Sequence, residues 1–529
     1  MKKTTITVLF LFLINLGFTQ VGSQLPEFKP ESEFFVDNTA SYPAAPSSQR
    51  ITLINNAGND SATLQTAINT LTNLTVNSLK GGVITIPDGT WEFNEIQLKS
   101  DVHLIFDPLA VVKPYDTAPL SGLANFSIFR IGYFGGAKAS NVSIRTSTLD
   151  SQFTIDLEHL AKETRITPFN VKESFNFMVR DCFVKDNGTI HAALNCSASQ
   201  TGGVWAGPVQ GLVKNLTVQN AHGGYGAVQV RTGEKLLFKK INSLRGGATL
   251  RIESDDFGAS GAPQDIAKVS EISGYDIKCT DGNSAVMLQP WAATNGWIDV
   301  QKIEAIGCMA AVRIDKAYLS TVGTFDSTSR ITDITCSYGT DAQVKQGVFP
   351  WVPCELRLNP NILRPDLIPD METYHLGPSI TPLLYRASTT GGATGNGYYS
   401  INVPSSSEIM NKATGFNWSI SLVISRNNNQ VNTNSCPALS VDSFGIEKDI
   451  KMYPNPFRIE DGLFTINIPK VSNVTVDIFN VLGKNVFSNK YIQKSEIQLN
   501  ASELKLSSGI YLVKVDIDNT VVSRKLIIN

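Results

Sequence analysis

Four segments in the middle of the chain repeat one pattern: a strand, a turn, a small residue, then a strand of alternating character. The small residues are Ala227, Ala248, Ala285 and Ala311. Successive side chains of a strand point to opposite faces, so stacking the segments on their alanines sorts every side chain. Val228 and Val230, Leu250 and Ile252, Val286 and Leu288, and Val312 and Ile314 share one face, and all are aliphatic. The other face carries two ladders: Gln229, Arg251, Met287 and Arg313, then Arg231, Glu253, Gln289 and Asp315. An apolar inner face that recurs at irregular intervals is the signature of a solenoid decorated by loops of unequal length. Strands of a β-sandwich also alternate, but they do not return to one small-residue marker at every pass. The expected class is therefore all-β, a parallel β-helix.

The bulk properties narrow the function classes. The chain has 529 residues, a formal net charge of −2 and only 17% charged residues. That composition suits a β-rich globular protein, and the lack of net basicity argues against a nucleic-acid partner. At the N-terminus, Met1-Lys2-Lys3 precedes an apolar run from Val8 to Ile14, then small and polar residues from Gly17 to Gln20. This is the layout of a secretory signal peptide over residues 1–20, cut near Thr19 or Gln20. The run is too short to cross a bilayer, which takes about 20 apolar residues, and no other segment is long enough. The seven cysteines include no CxxC pair, so a zinc site is not expected. Export permits disulfides, and the odd count leaves at least one thiol free.

The flanks add organisation. Residues Asn59 to Leu71 read as a short helix, with Asp60 or Ser61 placed to cap it. Short alternating strands follow over Gly81–Trp91 and Ile96–Phe106, broken by Gly, Pro and Asp. The helix, the Gly-Gly-Val-Ile-Thr-Ile-Pro strand and Leu98-Lys99-Ser100-Asp101-Val102 resemble the opening of pectin-lyase-like right-handed β-helices, where a helix plugs the end of the solenoid. The pattern weakens over 348–436, where many prolines and the Gly391–Gly397 stretch read as long loops or a subdomain. The last part, 450–529, forms a separate module. Its Tyr453-Pro454-Asn455-Pro456, Asp477–Lys484, Leu506–Val515 and Ser523–Ile528 motifs resemble the C-terminal sorting domain of the Bacteroidetes type IX secretion system. It is expected as a small β-sandwich, and the resemblance implies the type IX machinery as a partner and a place outside the cell or on its surface.

The chemistry centres on Arg251-Ile252-Glu253-Ser254-Asp255. As a strand it would set Glu253 and Asp255 on one face roughly 6.5–7 Å apart along the backbone. An inverting glycoside hydrolase holds its carboxyls about 6.5–9.5 Å apart, leaving room for a water. A solvated ion-pair lattice is the plain alternative for such an outer face. Local charge favours a site: Arg231, Lys235, Lys239, Lys240, Arg245 and Arg251 stand against Glu234 alone between Tyr225 and Arg251. A basic groove around two acids suits an anionic glycan.

Around these residues the chain from Gln49 to Cys436 resembles the iota-carrageenase family, secreted inverting endo-hydrolases that cut a sulfated red-algal galactan. The resemblance implies Glu253 as general acid, Asp255 as the base that activates water, and Gln229 as the residue that positions the water or an ion. The family's active-site His has no counterpart; Gln289 occupies the next rung, and His222 is a nearby turn residue. Arg231, Arg251, Gln289, Arg313, Lys239 and Lys240 are the expected substrate contacts, with Arg suited to a sulfate oxyanion. Burial and neighbours are expected to raise the Glu253 pKa. No cofactor and no catalytic metal is expected, a structural calcium, sodium or chloride ion is compatible with the fold, and a monomer is expected. Three other readings share the fold. A polysaccharide lyase would use Arg251 or Arg313 as base. A polygalacturonase-type hydrolase would use the Asp255-Asp256 pair, though its Gly-His-Gly and Arg-Ile-Lys elements are missing. A non-enzymatic adhesin would need no focused acid pair.

Overall fold

The computed structural model describes residues 29–44, 46–56, 58–115, 126–132, 138–254, 261–263, 265–317, 323–345, 348, 351, 374–389, 397–416, 422–425, 450–517 and 520–529. The expected signal segment 1–20, Asp255, Asp256, Cys354, Cys436 and much of 348–436 lie outside them. The chain divides into two compact units, 1–431 and 432–529.

The first unit is a parallel β-helix. Among the described residues, one sheet of ten strands runs from Ile96–Leu98 to Val423–Ser425, and a larger sheet of fifteen strands covers the rest of the circumference. The larger sheet turns a corner because its long strands each contain a left-handed residue. Asp181, Asn215, Lys240, Asp276 and Lys302 have φ between 50 and 61°. The strand register skips these positions and resumes beyond them, so they stack as one corner. Asn and Asp tolerate this backbone, and their side chains bond along the stack. Asn215 Nδ2 donates to Asp181 Oδ1 at 2.8 Å and Lys302 Nζ to Asp276 Oδ2 at 2.9 Å.

The alanine-marked ladders stand in the register read from the sequence. Gln229 pairs with Arg251, Arg251 with Met287, and Met287 with Arg313. Glu253 pairs with Gln289. Val228, Val230, Leu250, Ile252, Val286, Leu288, Val312 and Ile314 are fully buried in one continuous core. The helix Ser61–Thr72 closes the end of that core with Leu64, Ala67, Ile68 and Leu71. Its expected cap is not made. The Asp60 carboxylate accepts from Asn56 N at 3.2 Å, and Ser61 Oγ accepts from Asn94 N at 2.8 Å, so both side chains tie down neighbouring loops instead.

Three further features depart from or extend the sequence reading. The 348–436 stretch is not only loops, since Thr381–Tyr385 and Val423–Ser425 continue the ten-stranded sheet. An antiparallel pair, Ala342–Lys345 with Tyr374–Gly377, stands beside it. The folded unit also begins before Gln49. Phe34 and Phe35 pack on Met178, Leu212 and Leu237, and Asn176 holds both the N–H and the C=O of Val36. A disulfide links Cys279 and Cys308, and Cys182, Cys196 and Cys336 are buried free thiols.

Close stacking fixes the marker turns. Gly226 has φ +98°, and a Cβ there would lie 1.9 Å from the carbonyl oxygen of Ala248. Gly226→Ala is expected to lower β-helix stability by about 2–5 kcal/mol, from strained backbone plus forced separation of two coils. Gly202→Ala, at φ +56° with nothing within 4 Å, should cost the backbone part alone. Urea unfolding of the two variants measures the difference.

In the second unit, five antiparallel strands within 451–529 surround their own core of Phe464, Ile466, Val476, Ile478, Val513 and Val515. Its two longest strands carry register shifts between Asn467 and Val474.

Candidate active site

The outer face of the ten-stranded sheet opens into a cavity of about 400 Å³. Its wall contains Arg251, Glu253, Gln289, Trp291, Arg313, Asp315, Lys345 and Arg386. Four cationic side chains thus face two carboxylates.

Glu253 is the most constrained member, only 4% exposed. It ends the strand Ala248–Glu253, and Asp255 lies outside the described residues. Both carboxylate oxygens are engaged. Gln229 Nε2 donates to Oε2 at 2.8 Å, and Arg251 Nε lies 2.6 Å from the same atom. Trp291 Nε1 donates to Oε1 at 2.9 Å. The expected rise of its pKa is reversed. Burial does push the carboxyl up, but Arg251, the Trp291 N–H and the charge of Arg231 together outweigh burial and hold it below the ordinary glutamate value. Among these neighbours Glu253 is therefore held as an anion.

Arg251 is itself anchored. Its Nη1 donates to the carbonyl of Gly224, and its guanidinium lies 5.7 Å from the Tyr225 ring centre. The turn below is held by His222, whose Nδ1 accepts from Gly224 N at 2.9 Å. His222 thus supports the Arg251 anchor and does not line the cavity.

A second cluster lies further along the sheet. Asp315, 5% exposed, joins Arg313 Nε and Arg386 Nη1, each at 3.1 Å. Arg313 Nη1 also donates to Asn283 Oδ1 at 2.6 Å. Lys345 reaches the cavity from the antiparallel pair. Lys345 is exposed overall, but partial desolvation of its ammonium, then the charges of Arg313 and Arg251, pull it below the usual lysine range, against Asp315 and Glu253.

Of the expected contacts, Arg251, Gln289 and Arg313 line the cavity, and Gln229 touches it through Glu253. Arg231 follows the Gly226–Val230 strand and acts on Glu253 through its charge. Lys239 and Lys240 do not belong. They lie on Gly233–Leu244, a strand of the fifteen-stranded sheet. Lys239 Nζ bonds Glu31 Oε1 at 2.7 Å, and Lys240 sits in the left-handed corner, 3.4 Å from Asp150. Proximity in sequence placed them beside Arg231, but the intervening turn carries them to another face. Trp291, Lys345 and Arg386 went unread. Trp291 lies two residues beyond the Gln289 rung, where extending the alternation finds it, whereas Arg386 follows Thr381–Tyr385, a coil that carries no alanine marker. Lys345 has no such signal, because it enters from outside the coils. Among the described residues, no three His, Cys, Asp or Glu side chains gather as a metal site.

The fold and this cavity define the first unit as a pectin-lyase-like right-handed β-helix with a polar, net cationic groove. Residues 451–529 match the secretion system C-terminal sorting domain. The chain is similar in sequence to curated iota-carrageenases. It is 31% identical to that of Zobellia galactanivorans over 266 residues, 50% of this chain and 51% of that protein. It is 27% identical to that of Alteromonas macleodii over 327 residues, covering 60% and 62%. The chain thus spans about half to three-fifths of the length of these relatives. An iota-carrageenase complexed to iota-carrageenan fragments shares the fold, with a TM-score of 0.65 at 20% identity, covering 79% of this chain and 98% of that one. A second, from A. fortis, also has a TM-score of 0.65, at 19% identity and 79% and 96% coverage.

Proposed function

We propose that this chain is a secreted endo-hydrolase that cleaves the β-1,4 bonds of iota-carrageenan with inversion. The observation that carries the reading is Glu253, buried in a net cationic cavity on the face of a β-helix related to iota-carrageenases. Glu253 protonates the departing glycosidic oxygen, and Asp255 takes a proton from the water that attacks the anomeric carbon from the opposite side. Gln229 holds the acid from the neighbouring coil. Arg251, Arg313, Lys345 and Arg386 meet sulfate groups, with the arginine forks suited to a tetrahedral oxyanion.

The ionised state of Glu253 fits this scheme. A bound sulfate brings negative charge beside Glu253 and competes for Arg251. Both effects favour the protonated carboxyl. The acid is armed by the anionic substrate it must cleave, and an uncharged galactan would leave it ionised.

The sorting domain marks the chain for export by type IX secretion, and an N-terminal signal peptide over residues 1–20 would deliver it to that route. A monomer suffices, since one chain supplies every named group.

Lys345 favours a second reading. A lysine that lines the cavity with a weakened hold on its proton is the kind of base that a polysaccharide lyase uses. Incubation with iota-, kappa- and lambda-carrageenan separates the two. Hydrolysis yields new reducing ends from the iota form without ultraviolet absorbance from an unsaturated sugar. Absorbance rising with chain scission would replace the hydrolase with a lyase.

A further inference from the structure

On the reading of Glu253 as the acid, we propose that Trp291 is a positioning residue that selects which carboxylate oxygen carries the catalytic proton. The indole N–H reserves Oε1 as an acceptor and leaves Oε2 to be protonated.

The two oxygens have partners of different chemistry. Oε1 receives the Trp291 N–H at 2.9 Å. An indole nitrogen is a donor only, so a proton on Oε1 would turn its acceptor into a poorer one and weaken that bond. Oε2 receives the Gln229 amide at 2.8 Å and is ion-paired with Arg251, whose Nε lies 2.6 Å away. Both of these can yield. The Gln229 amide can turn its oxygen toward a proton, and Arg251 is a cation that an anionic sugar can draw away. One oxygen is thus fixed as acceptor, and the other can switch.

Trp291 is built for the fixed role. It follows the strand Ser284–Gln289 through Pro290 and comes from the coil next to that of Glu253. Its ring is held in the cavity wall at partial burial. Among the described residues, the charged groups facing the acid are Arg251 on its own strand, Arg231 from the preceding coil, Lys345 from the antiparallel pair, and Arg313, Asp315 and Arg386 from later coils. All of these stay when Trp291 is changed, so its replacement removes one neutral donor and no charge.

The test is the pH profile of kcat on iota-carrageenan. Trp291→Phe keeps the aromatic face and removes the N–H. A hydrogen bond to the ionised carboxylate favours that form, so its loss moves the alkaline limb up by about half to one pH unit. Turnover at the optimum falls about tenfold, with KM within about twofold. Trp291→Gln restores an N–H that does not titrate, and its limb returns toward the wild-type position. Where the Phe variant does not fold, the Gln limb alone decides, with a wild-type position in support and an upward displacement against. An unmoved limb in Trp291→Phe overturns the role, as does an equal displacement in both variants. Glu253→Gln is measured beside them. If that variant still turns over, the acid assignment falls; if it is inactive while the Phe limb is unmoved, only the role of Trp291 falls.

Discussion

Glu253→Gln is expected to reduce turnover of iota-carrageenan by about a thousandfold or more, because a positioned general acid contributes about 10²–10⁴ and its amide has no proton to give. The substitution keeps the shape of the side chain. Arg251 loses a 2.6 Å partner but keeps its bond to the Gly224 carbonyl and its place over Tyr225. The variant should therefore fold and still bind the polysaccharide. Asp255→Asn should be equally inactive for a different reason, since it removes the proposed base that deprotonates water. Near-wild-type turnover in either variant would end the assignment of that residue. Binding by isothermal calorimetry alongside the activity assay separates loss of chemistry from loss of substrate.

Asp315→Ala is expected to lower stability by about 3–5 kcal/mol, among the largest single effects on the first unit. Asp315 is shared by Arg313 and Arg386, and both it and Arg313 are buried. Removing the carboxylate leaves two guanidinium groups without their counter-charge, one of them nearly out of reach of water, and breaking a buried pair costs more than making it returns. Arg313 retains Asn283, which limits the loss but supplies no charge. Activity should fall with stability, because the same carboxylate orients both arginines toward the cavity. Chemical unfolding measures the first effect and KM the second. Stability within 1 kcal/mol of wild type would show that the arginines find other partners or water.

The solenoid was legible because period two and a small marker residue repeat locally, and neither depends on distant contacts. The register of Gln229 with Arg251 and of Glu253 with Gln289 follows from those two signals alone. The corner of each coil was not legible. A left-handed Lys240 reads like any strand lysine, and only the stack of Asp181, Asn215, Lys240 and Asp276 reveals a turn there. The basic run around Arg231 was therefore assigned to one face when it divides between two. The charge state of Glu253 was equally hidden. Burial could be inferred from its neighbours, but three donors converging on one carboxylate require the coils to be placed in space. Arg386 escaped because Thr381–Tyr385 lies in a proline-rich stretch whose loops mask one more coil of the same sheet.

The central claim is hydrolysis with inversion by a buried acid in a net cationic groove. Proton NMR of the anomeric region during the first turnovers on iota-carrageenan tests it most directly. The α-anomer should form first from the β-linkage, with the β-anomer following only by mutarotation. A β-anomer first would show retention, and an unsaturated product in place of a new reducing end would show elimination; either would contradict the account.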